Sequence, residues 1–524
     1  MIKKLTMLIV VAMFVVTIAS AQSNEFDDDF SRLLGKNVEK SSRDTTALDE
    51  FRQSYEKFRQ NAIKEYRDFR DQCNNEYAEF MRKAWREFRI LPKVDLPVEP
   101  CPVPPVIKPK DDDKGKKNKS NPVPIKEIVK PVPPEPQPQP VAPIVEPAPA
   151  PQPLPVVQDK WLDFKFFGTR AKVRYKESFK LSLPALSGET LSQAWLKCSN
   201  GDLDGTLKDC LDLRSRHKLC DWAYLLMLRD LGDAMLGKNS NEARFITAWL
   251  YCQSGYKMRL AVEGNSLQVL FGTKHTIYMR SYYTISDTRF FQLYNNNSQG
   301  KALVCDLPFE GEKAMSLLVS QNQEFDMNMS AKRSIAPAYG SSITAQVSVN
   351  KNLIDFYDKY PASEVGGNFM TRWAMIANTP LNNQVKNDIY PILKNYVSGK
   401  SEKQQVEIIL HFLHSFPYGY DNEIWGQDRA FFAEETLYYP KSDCEDHAIL
   451  FSRLVRDLLG LKVVLVYYPG HLAAAVHFNG DVSGDYIMLN SVKYVVCDPT
   501  YFGAPVGETM PGMDNSSSSV ILLE

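Results

Sequence analysis

The stretch KSDCEDHAILF, Lys441 to Phe451, decides how the C-terminal part of this chain reads. It sets one cysteine, Cys444, among Asp443, Glu445 and Asp446. Nearby negative charge keeps a thiol protonated and unreactive. Local helix chemistry gives those acids another purpose. Ser442 followed by Glu445 fits the S-x-x-E capping box, directly before a periodic apolar run. Ala448, Phe451, Val455 and Leu458 make one face, thickened by Leu450, Leu454 and Leu459, and Gly460 is a natural stop. The pattern predicts a helix from about Asp443 to Leu459 with Cys444 in its first turn. A helix start favours a thiolate, and acids there complement the dipole.

Downstream, LKVVLVYY (461 to 468) reads as a buried strand, followed by a Pro469-Gly470 turn. HLAAAVHF (471 to 478) and KYVVCDPT (493 to 500) read as two more strands. If these two pair antiparallel, the start of one faces the end of the other. His471 then meets Asp498, while His477 falls roughly 20 Å away along the strand. A thiol on a helix start, a histidine opening a strand and an aspartate on the paired strand form a Cys-His-Asp arrangement. His471 would take the Cys444 proton and Asp498 would hold the imidazole. Taken singly, each of these residues is more often structural.

These segments, SDCEDHAILFSRLVRDLLGLKVV, PGHLAAAVHF and KYVVCDPTYFGAPVG, resemble the transglutaminase-like superfamily of papain-type cysteine enzymes. The upstream YGYDNEIWGQDRAFFAEETLYYP (418 to 440) looks like the leader of bacterial members. The resemblance runs from about Leu353 onward and is most specific over 420 to 505. It implies Cys444 as nucleophile, His471 as general base and acid, and Asp498 as orienting residue. It also implies an oxyanion hole from the nucleophile's backbone N–H and an upstream side chain that the sequence does not single out. Two features depart from the family pattern. Leu-Ala follows the histidine where Ala-Trp is frequent, and Cys497 replaces an apolar residue.

The remainder of the chain sets the context. Its 524 residues suffice for two or three domains, and a net charge of −1 gives no basic excess for nucleic acid. Lys3 and Lys4, the apolar run Leu5 to Ile18 and Ala19-Ser20-Ala21 read as a signal peptide over 1–21, hence an exported protein. An uncleaved anchor is the alternative, though the run is short for a membrane span. No other stretch is apolar and long enough for a span in the mature chain. The nine cysteines are odd in number, and no CxxC pair supports a zinc ribbon.

Residues 22–90 are expected to form a helical segment. An eleven-residue repeat (YEKFRQNAIKE, YRDFRDQCNNE, YAEFMRKAWRE) aligns Tyr55, Tyr66 and Tyr77, and Phe58, Phe69 and Phe80. Its aromatic stripe needs a partner, either the body of the protein or another copy through the 47–90 helix. Residues 91–157 hold 21 of the 33 prolines and read as an extended polyproline linker.

From residue 158 the composition is globular and α+β. Residues 346–524 form the expected catalytic domain, a transglutaminase-like (papain-like) unit with the cysteine helix packed on an antiparallel sheet. Residues 158–345 follow the same plan at an offset of 205, aligning Gly255 with Gly460. That puts Asn239 at the Cys444 position and Ser266 at the His471 position, so this half reads as a degenerate relative. An unrelated helix–strand–strand unit fits equally. Cys220, heading CDWAYLLMLRDL, is the rival nucleophile, with His275 its one candidate base.

Two functions compete. One is a cysteine peptidase, amidase or acyl transferase acting on a protein or peptide through a thioester, with no cofactor and no metal. The other is a non-catalytic surface scaffold or binding protein. A metal site from Asp446, His447 and His471 lacks ligand spacing. By helical position His447 is expected to face away from Cys444, toward the surface or behind the site.

Overall fold

The computed structural model describes residues 44–97, 103–108, 120–133, 160–294, 299–513 and 517–524. The segment 1–21, expected to be a signal peptide, lies outside them. The architecture is α+β. Two six-stranded sheets carry it, each backed by helices on one face.

In the C-terminal half the cysteine helix spans Cys444–Leu459, with Gly460 closing it in the left-handed conformation. The sheet runs in the order Tyr486–Leu489, Val492–Cys497, His471–Val476, Val463–Tyr468, Ser519–Leu522 and Glu127–Val129. All neighbours are antiparallel except the last pair. The helix packs on His471–Val476 and Val463–Tyr468. Leu450, Phe451, Leu454 and Val455 supply its buried face, as the period of the run dictates.

The N-terminal half repeats the plan. Its sheet runs Tyr282–Ile285, Thr288–Gln292, Ser266–Thr273, Met258–Glu263, Lys301–Cys305 and Trp85–Arg89, all antiparallel. In chain order within each half, both sheets read third, fourth, second, first, fifth, then a strand borrowed from upstream. The helix Asn241–Gln253 lies before the first strand, as Cys444–Leu459 does. One apolar core runs through both halves. The expected boundary between 345 and 346 falls inside the strand Ala345–Val347, and Ser363–Val365 pairs with His275–Ile277 across the halves.

The first 90 residues differ from expectation in two ways. The helix spans Asp44–Met81 and does not continue to residue 90; Trp85–Arg89 is a strand on Lys301–Cys305. The aromatic repeat is also not one buried stripe. Tyr77, Ala78 and Met81 are buried, whereas Phe69 and Phe80 are exposed. Asn74 clamps the helix to the body. Its Oδ1 accepts from Trp195 Nε1 and Gln253 Nε2, each at 2.9 Å, and its Nδ2 donates to Gln253 Oε1 at 3.2 Å. Arg70 pairs with Asp204 at 2.9 Å.

The proline-rich segment is not a plain spacer. Val106–Ile107 pairs in parallel with Tyr501–Phe502, and Glu127–Val129 completes the C-terminal sheet beside Ser519–Leu522. Proline has no N–H and avoids central strands. Here Pro105 and Pro124 flank short edge pairings, and the donors come from Val103, Lys108, Val123 and Lys126.

Candidate active site

The cysteine helix begins one residue away from the expected box. Asp443 is the cap residue and Cys444 the first helical residue. Asp446, three residues after the cap, accepts the Asp443 N–H at 3.2 Å and the Phe431 N–H at 2.8 Å. The box is therefore Asp443–Asp446, shifted from Ser442–Glu445. Burial, with Asp421 nearby, raises the Asp446 carboxyl well above the carboxylate range. Glu445 is fully buried and lies 4.0 Å from the Arg372 guanidinium.

The leader E-E-T-L supports this helix start from below. Phe432 N–H donates to Glu435 at 2.9 Å, and Arg429 also bonds Glu435. Burial pushes Glu434 up to about 7 and Glu435 up to about 8. Asp421, Asp428 and Glu445 bring carboxylate oxygens within 4.8 Å of one another. Arg372 enters that group at 2.5 Å from Asp428, and burial pushes Asp421 up to about 7. A guanidinium and protonation thus answer the charge that a cation would otherwise answer.

His471 opens its strand directly after the Pro469-Gly470 turn, across from Tyr468, and Gly470 takes the positive φ (80°) that the turn needs. His471 Nε2 lies 2.9 Å from Asp498 Oδ2. The other oxygen, Oδ1, accepts from the Thr500 N–H at 3.0 Å and the Thr500 hydroxyl at 2.9 Å. Burial by itself would raise the Asp498 carboxyl; the His471 imidazole and the Thr500 donors outweigh it and hold the group below its usual range. Asp498 is thus an ionised acceptor fixed on both sides. His477 lies at the far end of the strand, with Nδ1 3.0 Å from Lys493 O.

The structure brings His471 and Asp498 together and sets Cys444 on the helix packed against the histidine strand. It does not form the expected thiol–imidazole hydrogen bond: His471 Nδ1 is buried with no hydrogen-bond partner. Hydrogen bonds of this kind are often loose in a resting enzyme. The ring nitrogen that can face a thiol is the one that Asp498 leaves available.

His447 is not at the surface. It is fully buried, its ring 6.2 Å from Tyr418 and 6.4 Å from Phe502. Burial pushes it down to about 3, with His414 and Asp498 among its electrostatic neighbours. Burial likewise pushes His414 down to about 4, and its Nδ1 accepts the Gly503 N–H at 3.1 Å. These neutral imidazoles wall the site behind Asp498. Of the two alternatives read for His447, the place behind the site holds; His414, the residue that caps the helix Glu402–Leu413, is the one that sequence reasoning did not single out.

In the N-terminal half Ser266 opens the second strand after the Gly264-Asn265 turn, as His471 does. Leu293 N–H bonds Val269 O, which puts Tyr294 at the Asp498 place in the ladder. Asn239 lies outside the helix, before its cap Ser240. Arg244 donates to Ser266 Oγ at 2.6 Å and lies 4.3 Å over the Tyr294 ring. No thiol, imidazole or carboxylate stands at these three places. Burial pushes the rival thiol of Cys220 up to about 12. No disulfide forms among the eight described cysteines.

No family model matches the chain, and comparison with curated proteins and with solved structures returns no match. Among the described residues no helix is long and apolar enough to cross a membrane.

Proposed function

We propose that this chain is an exported, transglutaminase-like cysteine enzyme that cleaves or transfers the acyl group of an amide bond in a protein or peptide. The observation that carries the reading is the His471–Asp498 pair at 2.9 Å with Nδ1 left without a partner, on the strand packed against the helix that begins at Cys444. Cys444 Sγ attacks the amide carbonyl while its proton passes to His471 Nδ1. The C–N bond then breaks, the amine leaves with that proton, and a thioester remains. Water or a second amine releases the acyl group. Asp498 keeps the imidazole oriented and stabilises its cation. The N-terminal half fits a related unit without this chemistry, since Asn241 opens its helix as Cys444 does and Ser266 and Tyr294 stand at the His471 and Asp498 places.

The alternative, a non-catalytic binding protein that keeps the fold, draws on one observation. Cys444, His471 and Asp498 are only 1 %, 1 % and 3 % exposed. Reactive cysteines are usually partly exposed.

Iodoacetamide labelling separates the two. The enzyme reading expects Cys444 to label faster than free cysteine at pH 7, with the signal gone in Cys444→Ala and slowed in His471→Ala. Labelling no faster than free cysteine, and indifferent to His471, would favour the scaffold.

A further inference from the structure

The acyl-transfer reading needs a donor for the oxygen that becomes negative when Cys444 attacks. The Cys444 amide can serve, because the first turn of a helix leaves its N–H groups without intrahelical acceptors. A second donor aimed at the same oxygen would add to it. Tyr418 has the position for it. A parallel bridge joins it to Ser442, two residues before the nucleophile. Gly419 N–H donates to Ser442 O at 3.1 Å, and Ser442 N–H donates to Pro417 O at 3.2 Å. Gly419 permits this approach: a Cβ there would lie 2.8 Å from the Lys441 side chain. The Tyr418 ring is edge-on to Tyr420 at 5.5 Å and to His447, one turn after Cys444, at 6.2 Å.

The Tyr418 hydroxyl is buried and has no hydrogen-bond partner among the described residues. Buried hydroxyls almost always find one, and an exception needs an explanation. Burial, then the proximity of Cys444 and Asp443, raises the phenol far above its usual range, so it stays a proton donor. Trp373 Nε1 and Trp425 Nε1 are also buried without acceptors. Their ring neighbours are Phe369 and Tyr467 for the first, and Phe431 and Tyr439 for the second.

We infer that Tyr418 is a further catalytic residue, whose hydroxyl donates to the oxyanion formed when Cys444 attacks a carbonyl. This rests on the acyl-transfer reading. As the Sγ–C bond forms, the carbonyl π pair moves onto oxygen, and the Cys444 proton passes to His471. The oxyanion fills the acceptor place that the resting protein leaves empty at Tyr418. On collapse the pair returns, the bond to the leaving group breaks, and the phenol again has no acceptor.

Two probes of one thiol test this. Iodoacetamide alkylates Cys444 by displacement at a saturated carbon and forms no oxyanion. p-Nitrophenyl acetate acylates it through a tetrahedral oxyanion and releases p-nitrophenolate. In Tyr418→Phe, acylation should fall by roughly 10²- to 10³-fold while alkylation stays within about 2-fold of wild type. A parallel fall in both rates would make Tyr418 a positioning or structural group and overturn the assignment. Unchanged rates in both would overturn it too, with the cysteine-enzyme reading intact. Wild-type protein that reacts with neither probe faster than Cys444→Ala would remove that reading, and the role of Tyr418 with it.

Discussion

Ser266 and His471 occupy one place in two sheets: each opens the second strand of its half after a two-residue turn, opposite Glu263 and Tyr468 respectively. Arg244 holds the serine at 2.6 Å and Asp498 holds the histidine at 2.9 Å. The same backbone place therefore holds a serine bonded to a guanidinium in one half and an imidazole bonded to a carboxylate in the other. Ser266→Ala should cost about 1.5–3 kcal/mol in urea unfolding, the worth of a hydrogen bond to a charged group. It should leave Cys444 alkylation unchanged. A drop in alkylation would mean that the two places communicate.

Asp498→Asn keeps the shape but removes the charge that, in the proposed mechanism, orients His471 as it takes the Cys444 proton. Acylation of Cys444 by p-nitrophenyl acetate should fall by roughly 10²- to 10⁴-fold. Thr500→Val removes one of the donors to Asp498 Oδ1 and leaves the Thr500 N–H. Its effect should be smaller, within roughly 10-fold. The reverse ranking would show that Asp498 is not the group that governs His471.

Acid should weaken the fold through His447 and His414. An unfolded histidine titrates near 6.5, whereas burial holds these two at about 3 and about 4. Below pH 6.5 the unfolded chain takes up protons that the folded chain refuses, so stability falls as pH falls. For His447 the loss between pH 7 and 5 is about 2 kcal/mol. Asp498, His414 and Arg333 face the ring and set its field. His447→Leu should remove this share of the slope, read as the difference in urea-unfolding free energy between the two pH values. Glu434 and Glu435 act with the opposite sign, being raised, but are common to both proteins and cancel. Equal slopes would contradict the burial of a neutral His447.

Asn74→Leu should loosen the long helix. It leaves Trp195 Nε1 and Gln253 without partners in the interior and should cost about 2–4 kcal/mol. A cost within about 0.5 kcal/mol, the usual size for a surface change, would place the helix off the body.

The proline-rich pairings should be visible by hydrogen exchange. The amides of Lys108, Val123 and Lys126 donate to Phe502, Tyr486 and Ser518 at 2.8, 2.7 and 2.8 Å. They should exchange at least roughly 100-fold more slowly than in an unstructured peptide. Exchange at the free-peptide rate would restore the plain-spacer reading.

Much of the C-terminal half could be read from sequence. The cysteine helix was expected over 443–459 and spans Cys444–Leu459. Three of the six strands of that sheet, Val463–Tyr468, His471–Val476 and Val492–Cys497, follow from apolar runs and one Pro-Gly turn, and the choice of His471 over His477 follows from antiparallel register alone. Less visible features share a physical cause. The spacing of a capping box suits both Ser442–Glu445 and Asp443–Asp446, and the tertiary bond from Phe431 to Asp446 decides between them. The WREF segment keeps the phase of the eleven-residue repeat, but a vacant edge beside Lys301–Cys305 draws it into a sheet. Proline content hid the Val106–Ile107 and Glu127–Val129 strands because short edge pairings need few N–H donors. Tyr418 carried no local signal, since its position depends on a bridge to Ser442 made only in three dimensions.

The borrowed strands also set the timing of assembly. Each sheet is finished by a piece of chain made early that must wait for a partner made late. Trp85–Arg89 waits for Lys301–Cys305, and Glu127–Val129 waits for Ser519–Leu522. Contacts so distant in sequence slow folding, because the loop must close before the pairing repays it. During synthesis the proline-rich segment would leave the ribosome long before its edge exists. A composition that resists β-aggregation is then an advantage while it waits, since proline keeps an unpartnered strand from pairing elsewhere.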